Sequence, residues 1–109
     1  MTLANGQPGW VRDGELPGSL DELRGPISGI VRLPLRIYWS GSDPESVEWD
    51  TARSDRRARL YEVVLREGDL DDIRRLVDGR ELVRLWDRLY LPARLRTAWT
   101  PLIEAARAA

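Results

Sequence analysis

The stretch Arg59-Leu60-Tyr61-Glu62-Val63-Val64-Leu65-Arg66-Glu67-Gly68-Asp69-Leu70-Asp71-Asp72-Ile73-Arg74-Arg75-Leu76-Val77-Asp78-Gly79 decides the fold class. Leu60, Tyr61, Val64 and Leu65 recur at the spacing of one helix face, and Gly68 stops that helix. Asp69 is placed to cap a second helix, which carries Ile73, Leu76 and Val77 toward Gly79. Downstream, Leu82, Leu85, Trp86 and Leu89 make a third apolar face. Pro92 suits the first turn of a fourth helix, with Leu95, Trp99, Leu102 and Ile103 inward. Pro101 has no N–H for residue 97, so this helix is expected to kink there or to restart with Thr100 as its cap. Helical character is expected from residue 51 onward, and the short connections predict a compact bundle of about four short helices.

The N-terminal half reads differently. Residues 29–39, Gly-Ile-Val-Arg-Leu-Pro-Leu-Arg-Ile-Tyr-Trp, are rich in β-branched and aromatic residues. Arg32 and Arg36 alternate with Leu33, Leu35 and Ile37, which predicts an extended edge segment, with Pro34 removing one ladder donor. Such a segment needs a partner: residues 10–16, a second copy of the chain, or another protein. Residues 40–50 read as an acidic loop. Ser19-Leu20-Asp21-Glu22 has the form of a capping box, opening a short turn from Leu20 to Arg24 that Gly25-Pro26 stops. Residues 1–18 are dense in Gly and Pro and predict a flexible, poorly ordered arm, in which Trp10 is the exception. The expected class is therefore mainly α: a single small helical domain over 19–109, preceded by that arm, with the extended segment at 29–39.

Composition excludes much chemistry. The chain has 109 residues, 17 basic and 18 acidic, for a net charge of −1, and it lacks His, Cys, Phe and Lys. No zinc finger, redox Cys pair, Ser–His–Asp triad, Schiff base or P-loop lysine can be built from it. Carboxylate chemistry and binding remain. No apolar run spans a bilayer and no leader pattern is present, so a cytoplasmic protein with no membrane partner is expected.

Asp69, Asp71 and Asp72 form the tightest acidic cluster, but a helix N-terminus favours Asp through its cap and dipole alone. No spacing specifies a catalytic site, a metal or a cofactor, and a non-catalytic protein is expected. Arg80, Arg84 and Arg88 fall at i, i+4 and i+8 and offer a stripe for nucleic-acid phosphates. The interleaved Asp55, Glu62, Glu81 and Asp87 favour a salt-bridged, solvated face instead. Five Trp are many for this length. Trp86 and Trp99 belong to core faces. Trp39 and Trp49 either anchor a protein interface or cover one end of a core that has no Phe.

Three segments together carry a resemblance. They are Leu33-Pro34-Leu35-Arg36-Ile37-Tyr38-Trp39-Ser40-Gly41, then Arg59 through Asp72, then Leu89-Tyr90-Leu91-Pro92 with Trp99. This pattern resembles a group of small, mostly uncharacterised bacterial proteins expected to be antitoxin-like partners of abortive-infection-type nucleotidyltransferase toxins. The resemblance covers roughly residues 19–100. It implies an inhibitory protein-binding module that plugs a positive cleft on a cognate toxin. Trp39, Trp49, Asp50, Asp69, Asp71 and Asp72 are then the expected contacts, and segment 30–39 is expected to add a strand to the partner's sheet. The alternative is a small nucleic-acid-binding regulator using Arg80, Arg84 and Arg88.

Overall fold

The computed structural model describes residues 16–38 and 46–109. Four α-helices carry the fold: α1 (Ser54–Glu67), α2 (Leu70–Leu76), α3 (Gly79–Leu85) and α4 (Ala93–Ala108). A two-stranded antiparallel sheet precedes them, with β1 (Ile30–Val31) paired to β2 (Trp49–Asp50). Single 3₁₀ turns occupy Leu20–Glu22 and Trp86–Arg88. This is the mainly helical bundle that the apolar periodicity implies.

Helix α1 is the centre of the core. Leu60, Tyr61, Val64 and Leu65 are almost wholly buried, and Ala58 and Val63 join them. Burying each of the large aliphatic side chains contributes roughly 1.5–3 kcal/mol, so this one helix supplies much of the apolar stabilisation. The helix starts at Ser54, later than expected. Residues 51–53 form a turn in which Asp50 Oδ1 accepts from the Ala52 amide at 3.0 Å and the Asp50 carbonyl accepts from Arg53 N at 3.2 Å.

The caps explain the boundaries that follow. Asp69 accepts from Asp72 N while Asp72 accepts from Asp69 N, a reciprocal box that starts α2. Asp78 accepts from Glu81 N and starts α3, so the second helix ends at Leu76 and does not reach Gly79. The third helix tightens into a 3₁₀ turn at Trp86. Helix α4 neither breaks nor restarts: it runs through Pro101, and Thr100 Oγ1 donates back to the Arg96 carbonyl at 2.6 Å.

The expected extended segment at 29–39 is extended only at its start. After Arg32 the chain turns: the Pro34 carbonyl accepts from both Ile37 N and Tyr38 N. The turn puts Leu33 and Ile37, four residues apart, together in the core and turns Leu35 outward. Strand alternation had placed all three on one face. The strand's partner is residues 49–50, from the segment expected to be loop.

A seam that the sequence did not announce holds residues 20–25 to the α2–α3 junction. Arg24 N donates to the Arg74 carbonyl, Gly25 N to Val77, and Gly79 N to Leu23, at 3.0–3.1 Å. The backbones approach closely because two of these residues lack a Cβ. A Cβ on Gly25 would lie 2.3 Å from the Leu76 carbonyl carbon, and one on Gly79 would lie 2.3 Å from the Leu20 carbonyl oxygen. Of the arm expected over 1–18, residues 1–15 lie outside the described part. Leu16 packs against the core and Pro17 is buried.

Candidate binding surface

The acidic residues expected as contacts are used differently from one another. Asp72 is buried, and its carboxylate is saturated from within the chain. Arg36 grips it through both guanidinium nitrogens, at 2.5 and 2.7 Å; Arg75 adds a third contact at 3.0 Å, and Asp69 N a fourth. The Arg36 guanidinium holds the Asp72 carboxyl well below the usual carboxylate range, against the opposing effect of burial. With its lone pairs filled, Asp72 is a structural cap and a tie to segment 33–38. Asp69 is exposed, and Asp71 is exposed with only Arg74 nearby at 3.4 Å. Asp50 is half-buried and caps the turn before α1. Among the described residues, no three His, Cys, Asp or Glu side chains gather to hold a metal ion.

Trp39 lies outside the described residues. Trp49, expected on a loop, is 3% exposed and sits on β2. Tyr38 meets its ring edge-on at 5.3 Å, and the Arg56 guanidinium lies 4.7 Å from its centroid. The indole therefore closes one end of the core, as a chain without Phe requires of its larger aromatics, and does not project as a surface anchor.

The arginine stripe is also rearranged. Arg84 is held by Glu81 at 2.7 Å and reaches Ser54 Oγ at 3.3 Å. The same Glu81 carboxylate takes the buried Arg57 at 2.7 Å, which joins α1 to α3. Arg84 and Arg57 together lower the Glu81 carboxyl below its ordinary value. Arg88 follows the change to a 3₁₀ turn, whose larger rotation per residue takes it off the line of Arg80 and Arg84. The three do not present one unbroken row of free cations.

What the fold does expose is aliphatic. Ile27, Ile30 and Leu35 are 55%, 54% and 50% exposed, and all three belong to the segment around β1. The β1 edge has a definite polarity. Gly29, which faces Thr51, accepts from both Thr51 N and Thr51 Oγ1. That makes Gly29–Thr51 a hydrogen-bonded pair and Ile30–Asp50 the alternate kind, so the N–H and C=O of Ile30 point away from β2. Gly29 adopts φ +93°, which frees the chain to enter the strand from a left-handed bend. The hairpin face beside Ile30 carries Asp50, and the cross-strand pair Arg32–Glu48 is exposed on both sides. The clue missed in the sequence was the four-residue spacing of Leu33 and Ile37 across Pro34, which signals a turn and sends Leu35 outward.

Comparison of this chain with protein-family models, with curated proteins and with solved structures finds no match.

Proposed function

We propose that this chain is a small non-catalytic protein-binding module that acts in the cytoplasm as an antitoxin-like inhibitor of a nucleotidyltransferase-fold toxin. The observation that carries the binding part is the β1 edge: an outward-facing Ile30 peptide group with the exposed Ile27, Ile30 and Leu35 around it. A strand of a partner laid along that edge gains main-chain hydrogen bonds, while the three aliphatic side chains supply the apolar contact. The toxin part rests on the sequence resemblance in residues 33–41, 59–72 and 89–99. Exposed Asp69 and Asp71 remain available to steer a basic partner. Trp49 and Asp72 leave the contact set, because the core and Arg36 occupy them.

The test is affinity capture from the native host with nuclease treatment and identification by mass spectrometry. A stoichiometric nucleotidyltransferase-fold partner is expected, retained by wild type and lost by Ile30→Asp and Leu35→Asp with unchanged far-ultraviolet circular dichroism. Retention by both variants would exclude this surface. Recovery of nucleic acid alone would move the reading to a nucleic-acid-binding regulator.

A further inference from the structure

The first described residue, Leu16, forms part of the wall of a groove. Leu16 packs against the core and Pro17 is buried, so the chain is fixed where it arrives. The 3₁₀ turn at Leu20–Glu22 lies against α4 and keeps this stretch beside the helix. Leu16 lines the groove together with Ala93, Arg94, Thr97 and Ala98 of α4, and the space is shallow, mostly apolar and about 570 Å³ in volume. The helix sequence accounts for it. Positions 94, 97 and 98 share one face at i, i+3 and i+4, with 93 one turn before 97. Trp99 and Ile103 are buried in the core instead. The small side chains at 93, 97 and 98 leave room along that face.

Chain connectivity names the occupant. Residues 1–15 join the fold at Leu16, at the groove itself. The largest apolar side chain among them is Trp10, six positions earlier. Six residues reach at most about 20 Å, whereas the helix from Ala93 to Ala98 is about 7.5 Å long. Trp10 can therefore be placed anywhere along the groove without stretching the chain. The short tether holds the indole at an effective concentration of about a millimolar, which a free partner would have to exceed. A Trp side chain buries about 150–250 Å² when it finds a surface, more than Leu3 or Val11 can offer.

We propose that the groove between Leu16 and α4 is the docking site for this chain's own Trp10, with residues 11–15 as its tether. The contact uses no residue of the β1 edge and is independent of the protein-binding reading.

The test is ¹⁹F nuclear magnetic resonance of the full chain labelled with fluorotryptophan, the Trp10 signal being assigned by Trp10→Phe. A soluble nitroxide reports exposure. The Trp10 signal is expected to broaden less than that of free fluorotryptophan, and Ala98→Arg, which puts a charge in the groove, is expected to remove that protection. The Trp86 and Trp99 signals should stay where they are and so verify the fold. If they move, Thr97→Arg, at an exposed position of the same wall, takes the place of Ala98→Arg. In urea unfolding, Trp10→Ala is expected to lower the folding constant about 10-fold in the wild-type background, the gain of a part-buried aromatic less the ordering of its tether. It should cost nothing once the groove is blocked. The proposal is overturned if Trp10 is as accessible as the free amino acid, or if the groove variant leaves its protection unchanged. Equal cost of Trp10→Ala in both backgrounds would also overturn it. Protection that fades on dilution would do so too, by assigning the indole to a second copy of the chain.

Discussion

Replacing Gly25 by Ala tests the seam between the N-terminal segment and the helices. The new Cβ would lie 2.3 Å from Leu76 C, 2.5 Å from Val77 N and 2.6 Å from Leu76 O, where ordinary contact begins at 3.4 Å. All three atoms are backbone, so no side chain can rotate away, and the strands of chain must separate by about an ångström. Overpacking of this kind costs about 1–3 kcal/mol. The separation also weakens the Gly25–Val77 hydrogen bond and the adjoining Arg24–Arg74 and Gly79–Leu23 bonds, at about 1 kcal/mol each when lost. Reduced freedom of the unfolded chain returns about 0.4–1 kcal/mol. The net expectation is a loss of about 2–4 kcal/mol, or a fall in melting temperature of roughly 8–16 °C for a domain of this size. Gly29→Ala is the control: it has open space around the Cβ but a φ of +93°, so it tests backbone strain alone, at about 1–2 kcal/mol. Urea unfolding followed by circular dichroism and by Trp fluorescence measures both. A Gly25→Ala variant within 0.5 kcal/mol of wild type, about the scatter of a surface substitution, would refute the close approach. So would one milder than Gly29→Ala.

Three further outcomes follow from the polar network. Glu81→Gln leaves the buried Arg57 without its anion and is expected to cost about 3 kcal/mol, while Arg84→Ala, which removes an exposed partner of the same carboxylate, costs under about 1 kcal/mol; equal losses in urea unfolding would contradict this ranking. Asp72 ionises below the usual range in the folded chain because Arg36 holds it, so its stabilisation is present above the unfolded pKa of about 4 and is lost as pH falls through and below that value. Asp72→Asn should flatten this acid limb in urea midpoints measured on descending pH, and an unchanged limb would show that the pair contributes nothing. Burial pushes the Tyr61 phenol up to about 12, opposed by the Asp78 amide that donates to it. Stability from neutral Tyr61 is therefore intact below the unfolded pKa of about 10 and is lost as pH rises toward 12. Absorbance titration should find one phenol lagging, and Tyr61→Phe should abolish that lag.

The helical part was legible because its signals are local. Apolar spacing in residues 60–65, the stop at Gly68 and the cap at Asp69 need only neighbours three or four residues away, and each appears in the fold where it was expected. The finer boundaries failed where two local signals competed. Asp78 is a better cap than Val77 is a helix interior, so α3 begins one residue later and α2 stops at Leu76. In residues 33–37 the alternation of Arg and aliphatic residues fits a strand, yet burying both Leu33 and Ile37 is worth more than keeping Leu35 in line, and the chain turns.

The candidate contacts were harder to read, since a residue type states what a side chain can do and not whether it is free to do it. Trp49 and Asp72 have the chemistry of interface residues. One lost that role to core burial against Tyr38 and Arg56, the other to four internal donors that lie, in part, 36 residues away. Conversely, Ile27, Ile30, Leu35 and Tyr90 have core-type side chains yet stay exposed, and that exposure depends on how the rest of the chain packs. By itself the sequence determined the helical class, the cap at Asp69 and the chemistries this chain cannot perform, because these depend on composition and short-range spacing. The tertiary structure decided which strand pairs with which, which acids are already spent and which apolar residues are left outside, because each depends on contacts between residues far apart in the chain.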